Sequence, residues 1–492
     1  MTLLRAWAWP TTLRIDERGS EGRVERGALS VIGLVAQSGA KFLINWMIGR
    51  VAGPLVLGTT AVAFSLAQLA ALLGPNAVGA ATSKYLALAA GEGDLERGRA
   101  IARHVVKLTL LLMMPLTLVT IGVSAWWLGI RGTGLIVMAL MVTGLTGYAV
   151  TRGAFFGHRH VVAAGKWDLV TAVLAVLGTA AMLGLGVRGL PLLLPLALSY
   201  VIFSWAGWPR GAAGSVAPKD RREIRRLVGA VVIGSSASSG LIQGSLLAAQ
   251  HWAGTAQAGL YQAAYTLALP LSILVGAGSQ VMFPALAEAV GRDDRTSIRR
   301  ITHAATVVVA LGVTSAVGLL IVLSGPLVGA VWGERFSVSS GVLPIMLIAV
   351  ATNAAAVPSV NAMTITSNDL ARRTAVFSVI GGLTGIGCWL VLGPSLGIVG
   401  VAIGYAMGVT LTATINVAHM WISQRQPWAW IFARVALLLC GAVILERVAR
   451  GSGVGITVVC MLGFIIAALL LCARSVTGAL GELGLWRAPG RT

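Results

Sequence analysis

Residues 91–104 read GEGDLERGRAIARH and residues 291–304 read GRDDRTSIRRITHA. Gly91, Asp94, Arg99 and Ile101 recur as Gly291, Asp294, Arg299 and Ile301, the mark of a duplicated unit. Upstream, Gly58 and Gly259 open equivalent helices at nearly the same offset. Both charged stretches interrupt apolar sequence. Outward from them, apolar windows predict spans at 28–49, 55–75, 105–127, 133–151, 167–187, 190–208, 227–249, 257–281, 302–323, 341–363, 373–393, 396–418, 431–447 and 454–473. A long charged loop, 76–104 or 282–301, follows the second window of each set of six, and each is expected to hold a short amphipathic helix. Six is even, so the two sets share one orientation, related by an axis along the membrane normal. The last two spans are then an appendix.

Composition agrees with this reading. Hydrophobic residues make up 57% of the 492-residue chain and charged residues 11%, with mean hydropathy +0.85. That excludes a soluble enzyme core, a secreted disulfide scaffold or a disordered tail as the main content. Lys and Arg number 37 against 17 Asp and Glu. In a membrane chain this excess belongs to cytoplasmic loops rather than to nucleic-acid binding. With the N-terminus inside, alternate loops collect about 29 Lys and Arg inside against about 6 outside (Arg50, Arg131, Arg188, Arg335, Arg447, Arg450). Missing one span would reverse every later loop and destroy the contrast. The expected organisation is a cytoplasmic segment 1–27, an N-lobe 28–208, a cytoplasmic linker 209–226 and a C-lobe 227–418. The last two spans occupy 419–473, and 474–492 is a cytoplasmic tail.

No continuous apolar stretch with a small-residue cleavage site precedes the first span, so that span is expected to act as its own insertion signal. Trp126, Trp127, Trp205, Trp208, Trp428 and Trp430 fall near span ends, where an interfacial belt belongs. Cys388, Cys440, Cys460 and Cys472 lie in apolar runs, which indicates neither a disulfide framework nor a metal site. HExxH and a Walker GxxxxGK[ST] are missing from the sequence, and no outside loop carries a paired-Asp motif, so neither catalysis nor a cofactor is expected.

Two six-helix halves plus two helices resemble the layout of the multidrug/oligosaccharidyl-lipid/polysaccharide exporter superfamily, and the motifs resemble its polysaccharide flippase branch. GRVAGPLVLG (Gly49–Gly58) is similar to that branch's "aRllGpeeyG", and GPNAVGAATSKYLA (Gly74–Ala87) follows as there. LVLGPSLGIVGVAIGYA (Leu390–Ala406) resembles "lliPrfGivGAAiAt", and NAMTITSNDLARR (Asn361–Arg373) resembles "nailtalGrpk". The PLVLG turn departs from "peeyG" in lacking its acidic and aromatic residues. The resemblance implies an all-α polytopic membrane protein: fourteen transmembrane helices, two parallel six-helix repeats around a central cleft, and two C-terminal helices. It also implies export of a polyprenyl-pyrophosphate-linked glycan by alternating access in the cytoplasmic membrane. The implied partners are that glycan lipid, membrane lipids and other polysaccharide assembly proteins.

An ionisable residue inside a span is a functional hypothesis by default. Lys41 lies about nine residues from the nearer end of its span, roughly 13 Å, which is long for snorkelling. Gly33, Gln37, Lys41 and Asn45 recur every four residues as one polar stripe. Gln68 on the second span, Gln243 on the seventh, and Tyr261 and Tyr265 on the eighth add polar faces. Spans 1, 2, 7 and 8 line the cleft in the resembled superfamily, so Gln37, Lys41, Asn45, Gln68, Gln243, Tyr261 and Tyr265 are the candidate substrate contacts. The histidines His104, His158, His160 and His303 read as solvated basic surface, and Asn353 and Asn361 as helix bridges.

Among the acids, Asp168, Glu288 and Glu446 approach spans but are expected at their ends. A cation antiporter of the superfamily normally buries a carboxylate, so transport here is expected not to depend on one. Peptidoglycan-precursor flippases carry several arginines along the first helix, where this chain keeps Arg50. The alternatives are therefore a multidrug or cation antiporter, a lipid II flippase, or a non-transporting scaffold of an assembly complex. The topology is testable in a cysteine-free background. Cysteines at Arg131 and Arg335 should both react with an impermeant thiol reagent from outside, and those at Lys219 and Arg372 should not. Labelling of position 335 from the cytoplasmic side alone would overturn the arrangement.

Overall fold

The computed structural model describes residues 21–158, 160–209 and 216–482. The N-terminal segment expected at 1–27 lies outside the described residues as far as residue 20, and the tail lies outside them beyond residue 482. Helices run as α1 (Glu21–Leu72), α2 (Pro75–Glu92), α3 (Leu95–Trp126), α4 (Thr133–Gly157), α5 (Val161–Gly184), α6 (Leu194–Gly207) and α7 (Pro218–Ala253). They continue as α8 (Thr255–Gly291), α9 (Arg295–Val322), α10 (Ser324–Trp332), α11 (Ser339–Thr366), α12 (Asn368–Gln424), α13 (Ala429–Ala449) and α14 (Val454–Glu482). No strand occurs among the described residues.

Among the described residues, eleven candidate spans are long and apolar enough to cross a membrane. Two of them, in α1 and α12, are double lengths broken at a glycine, and the 37-residue α8 stands beside the eleven. The fourteen expected spans are thereby accounted for. The breaks fall in the two family-like motifs. Gly53 takes φ 84°, which a side chain disfavours, and Pro54 begins the next length because it needs no N–H there. In α12 the break is at Gly397, three residues past the Pro394 where sequence places it.

Leu111, Met114, Leu118 and Val119 on α3 and Leu469 and Leu470 on α14 are broadly exposed. A row of this kind has no place in water but suits hydrocarbon. The chain is a multi-pass membrane protein. Trp126, Trp205 and Trp430 are exposed near helix ends, as a belt requires. Trp428 departs from that expectation: it is fully buried and donates its Nε1–H to His303 Nδ1 at 3.1 Å. His303 is correspondingly an internal acceptor rather than solvated surface.

The chain divides into two compact units, one of residues 1–52 and 59–244, the other of 53–58 and 245–492. In the first, α4 is central and packs against α2, α3 and α6. In the second, α11 packs against α8, α9 and α12, while α9 also carries the α13–α14 pair. The duplication extends to single dihedral angles. Asp94 (φ −88°, ψ 88°) caps α3 by accepting from Arg97 N, and Asp294 (φ −87°, ψ 84°) caps α9 by accepting from Ser297 N. The loop expectations at 76–104 and 282–301 change in extent. α2 is a buried helix whose Val78, Ala81, Tyr85 and Leu86 join the core, and α8 continues to Gly291.

The α2–α4 crossing is close enough to exclude a side chain. A Cβ on Gly79 would lie 2.4 Å from the Ala149 carbonyl oxygen, and one on Gly153 would lie 2.1 Å from that of Gly79. Small residues let membrane helices approach in this way where water offers no driving force. Both obstacles are backbone, which cannot rotate aside. Gly153→Ala should therefore cost about 1–3 kcal/mol and lower the melting midpoint of detergent-solubilised protein by several degrees. Gly184→Ala, which meets no atom within 4 Å, should leave it unchanged.

Candidate functional site

The first unit holds a buried polar core centred on Asp168. Helix α5 starts at Val161, earlier than the window at 167–187 suggests, so Asp168 sits roughly two turns inside it. Its residue surface is 1% exposed. Tyr148 on α4 donates its hydroxyl to Asp168 Oδ1 at 2.9 Å, and Arg152, one turn further along α4, donates Nε–H to Oδ2 at 3.3 Å. Gln37 on α1 donates Nε2–H to the Asp168 carbonyl and to Thr171 Oγ1, both at 3.0 Å. One carboxylate thus ties α4 to α5, and one amide ties α1 to α5. The expectation that Asp168 sits at a span end, leaving no buried acid, is corrected.

Lys41 lies one turn beyond Gln37 on the same face. Its Nζ is 5.6 Å from the Phe64 ring centroid and 6.0 Å from that of Tyr200, within cation–π range. Its charge reaches the Asp168 carboxylate, yet Lys41 forms no ion pair within 4 Å among the described residues. Tyr200 packs 5.1 Å from Tyr148, and its buried hydroxyl makes no hydrogen bond among the described residues. Asp168 and Arg152 cancel, so Lys41 leaves this core with one net positive charge. At the α4–α5 turn, burial with His160 beside it pushes the His158 imidazole down to about 4. His158 is therefore neutral at pH 7, unlike the solvated cation the sequence suggests.

The second unit has an uncharged cavity of about 320 Å³ between α8 and α11, whose polar lining is Ser272, Ser279, Asn353 and Asn361. Asn361 donates to Ser279 Oγ, bridging the helices as expected of it. Among the described residues no group of three or more His, Cys, Asp or Glu is arranged to hold a metal ion.

A family model described as MatE matches residues 30–133, and one described as "Polysaccharide biosynthesis protein" matches residues 242–341. Among solved structures, the chain is similar to an inward-facing multidrug resistance MATE family transporter of the MOP superfamily. The TM-score is 0.60 at 16% identity over 80% of this chain and 98% of that one. It is also similar to a MOP superfamily transporter from Pyrococcus furiosus, described as having a binding pocket of reverse polarity that suggests a different function. There the TM-score is 0.59 at 17% identity over 82% and 95% of the two chains. This is the fold of the multidrug/oligosaccharidyl-lipid/polysaccharide exporter superfamily. No curated protein matches the sequence.

Within this superfamily fold, the expected contacts separate by unit. Gln37, Lys41, Asn45, Gln68 and Gln243 lie in the first, Tyr261 and Tyr265 in the second. Gln37 and Lys41 join the Asp168 core. Asn45, Gln68 and Gln243 are partly exposed. Tyr261 is buried and donates to Ser245 Oγ at 2.8 Å, while Tyr265 stays partly exposed. Asp168, Tyr148, Arg152, Thr171 and Tyr200 are the members that sequence reasoning missed. A signal existed. Ala164, Asp168, Thr171, Ala172, Ala175 and Thr179 form a small and polar stripe at helical spacing, so Asp168 shares the packed face of α5. Glu446 is likewise buried, in the last turn of α13, and accepts from Arg450 at 2.6 Å, whereas Glu288 is exposed and paired with Arg292.

Removing one partner of a buried pair leaves the other uncompensated, at about 3–5 kcal/mol. Asp168→Asn should therefore lower the melting midpoint markedly and reduce transport with it. Combining it with Arg152→Gln should recover part of the loss. A wild-type melting curve for Asp168→Asn alone would show that the pair does not hold α4 to α5.

Proposed function

We propose that this chain is a flippase. It moves a polyprenyl-pyrophosphate-linked oligosaccharide from the inner to the outer leaflet of the cytoplasmic membrane, by alternating access, for cell-surface polysaccharide biosynthesis. Both termini are cytoplasmic, and other assembly proteins act beside it. The observation that carries the reading is Lys41, an ammonium in a membrane helix with aromatic faces beside it and no carboxylate paired to it. A cation substrate would be repelled by that core, whose one acid is already matched by Arg152. A pyrophosphate would be attracted. The match of residues 242–341 to a polysaccharide biosynthesis model supports the same substrate class.

The saccharide head crosses among protein groups while the prenyl tail stays in lipid. Lys41 meets the pyrophosphate, and the free Tyr200 hydroxyl beside it offers a neutral donor. Asn45, Gln68 and Gln243 in the first unit, and Tyr265 in the second, suit hydroxyl-rich sugar. Gln37 and Tyr261, whose polar ends are already bonded, serve by fixing helices. A cation antiporter would instead release protons as substrate moves, so substrate-stimulated proton flux in proteoliposomes would favour that alternative.

At an effective dielectric near 20, a unit charge pair at about 4 Å is worth on the order of 4 kcal/mol before desolvation. Even a fraction of that governs substrate capture. Lys41→Gln and Lys41→Ala should reduce export at least tenfold at equal membrane protein level, and Lys41→Arg should keep part of it. Asn45 and Gln243 variants should lose less, since they remove neutral contacts. Normal export by Lys41→Gln would mean that the ammonium merely snorkels, and would remove it from the site.

A further inference from the structure

Helix α7 begins with PKDRREIRRLV (Pro218–Val228), and its two faces have opposite fates. Asp220, Ile224, Leu227 and Val228 turn into the first unit. Ile224 is fully buried and packs with Val78, Tyr85, Ile101 and Val150. Asp220 is clamped in a two-pronged pair by Arg97 of α3, which donates from Nε at 3.0 Å and from Nη2 at 2.9 Å. Glu223 is drawn to the Tyr85 hydroxyl on that same side. The opposite face carries Arg221, Arg222, Arg225 and Arg226, all exposed and together lining one open concavity of about 590 Å³ with Pro218.

No ion pair reaches any of these four guanidiniums among the described residues. The charges of Arg221, Arg225 and Lys107 also converge on His104, while the acids of the same helix start, Asp220 and Glu223, are engaged by Arg97 and Tyr85 on its other side. Four cations in two turns repel one another, and a rigid helix cannot spread them apart. Positive-inside statistics account for basic residues on this side, but not for their confinement to one concave face whose reverse is anchored. Ile233, two turns on and about 10 Å further along the helix axis, is exposed apolar surface.

We propose that the Arg221–Arg222–Arg225–Arg226 face is a binding site for the phosphate or pyrophosphate headgroup of a membrane lipid. Guanidinium forks suit phosphate oxygens, which several of them can share, while the acyl or prenyl chain lies along the exposed apolar surface above. Two lipids carry this chemistry, a resident anionic phospholipid and the polyprenyl pyrophosphate that carries the glycan.

The test uses the full chain in phosphatidylcholine nanodiscs doped with phosphatidylglycerol or with a polyprenyl pyrophosphate, with retained lipid read by native mass spectrometry. The quadruple variant Arg221→Gln, Arg222→Gln, Arg225→Gln, Arg226→Gln is compared with a control that removes equal charge elsewhere: Arg295→Gln, Arg300→Gln, Arg373→Gln, Arg474→Gln. Size-exclusion profiles and melting curves establish that both variants are folded. The expected result is at least a tenfold loss of retained lipid in the first variant, little loss in the control, and competition by inorganic pyrophosphate with the wild type. Loss confined to the polyprenyl lipid assigns the site to the carrier, and loss of phosphatidylglycerol as well assigns it to resident lipid. Equal retention by all three proteins, or equal loss in the control, overturns the proposal.

Discussion

A carboxylate in a membrane helix must find a cation and hydrogen-bond donors within its own bundle, because hydrocarbon supplies neither. Asp168 meets that demand with Arg152 and Tyr148 from a single neighbouring helix. Satisfying it fixes more than the charge. The residues reaching Asp168 also set how α4 lies on α5, and Gln37 extends the same constraint to α1. Lys41 inherits its position from Gln37, one turn away. Its usefulness as a free charge depends on Asp168 being already paired: were Arg152 missing, Lys41 would be the nearest remaining cation and would be consumed by structure.

Around this core the fold repeats a small set of solutions. Asp94 and Asp294 cap their helices with nearly identical backbone angles, although the residues between the matched positions differ. A helix start needs an acceptor for its orphan N–H groups wherever it occurs, so the cap persists while the intervening sequence drifts. The hubs α4 and α11 are repeated in the same sense, since each collects a comparable set of partners. The breaks at Gly53 and Gly397 serve a related need, letting apolar sequence turn without exposing unpaired backbone to lipid.

How much of this was legible follows from which forces act locally. The all-helical, many-span fold depends on composition along the chain, and it carries over to the structure nearly intact. Lys41 stood out in the sequence because an isolated cation far from either end of an apolar window is costly in lipid, and the structure sets it beside Phe64 and Tyr200. Asp168 did not, because Lys166 and Trp167 beside it look like a loop edge, and only the small-residue spacing of α5 places it inward. Trp428 misled for the mirror reason. A tryptophan near a span end fits a lipid interface, and nothing in its neighbourhood announces that His303, far away in sequence, waits to accept its N–H. Long-range partners are what a single sequence hides.

On the reading proposed above, the choice between a cationic and an anionic substrate rests on charge balance rather than on the framework. The matches to a MatE model at residues 30–133 and to a polysaccharide model at 242–341 fall on different stretches of one chain. Neither helix packing nor capping distinguishes the two chemistries. The distinguishing quantity is how many unpaired charges the polar core retains once its own members have neutralised one another. With Asp168 and Arg152 cancelled, that number in the first unit is set by Lys41, and its sign is positive. On that reading an unpaired acid there would invert the preference without moving a helix, because the balance of two or three side chains sets it and the surrounding apolar sequence cannot record it.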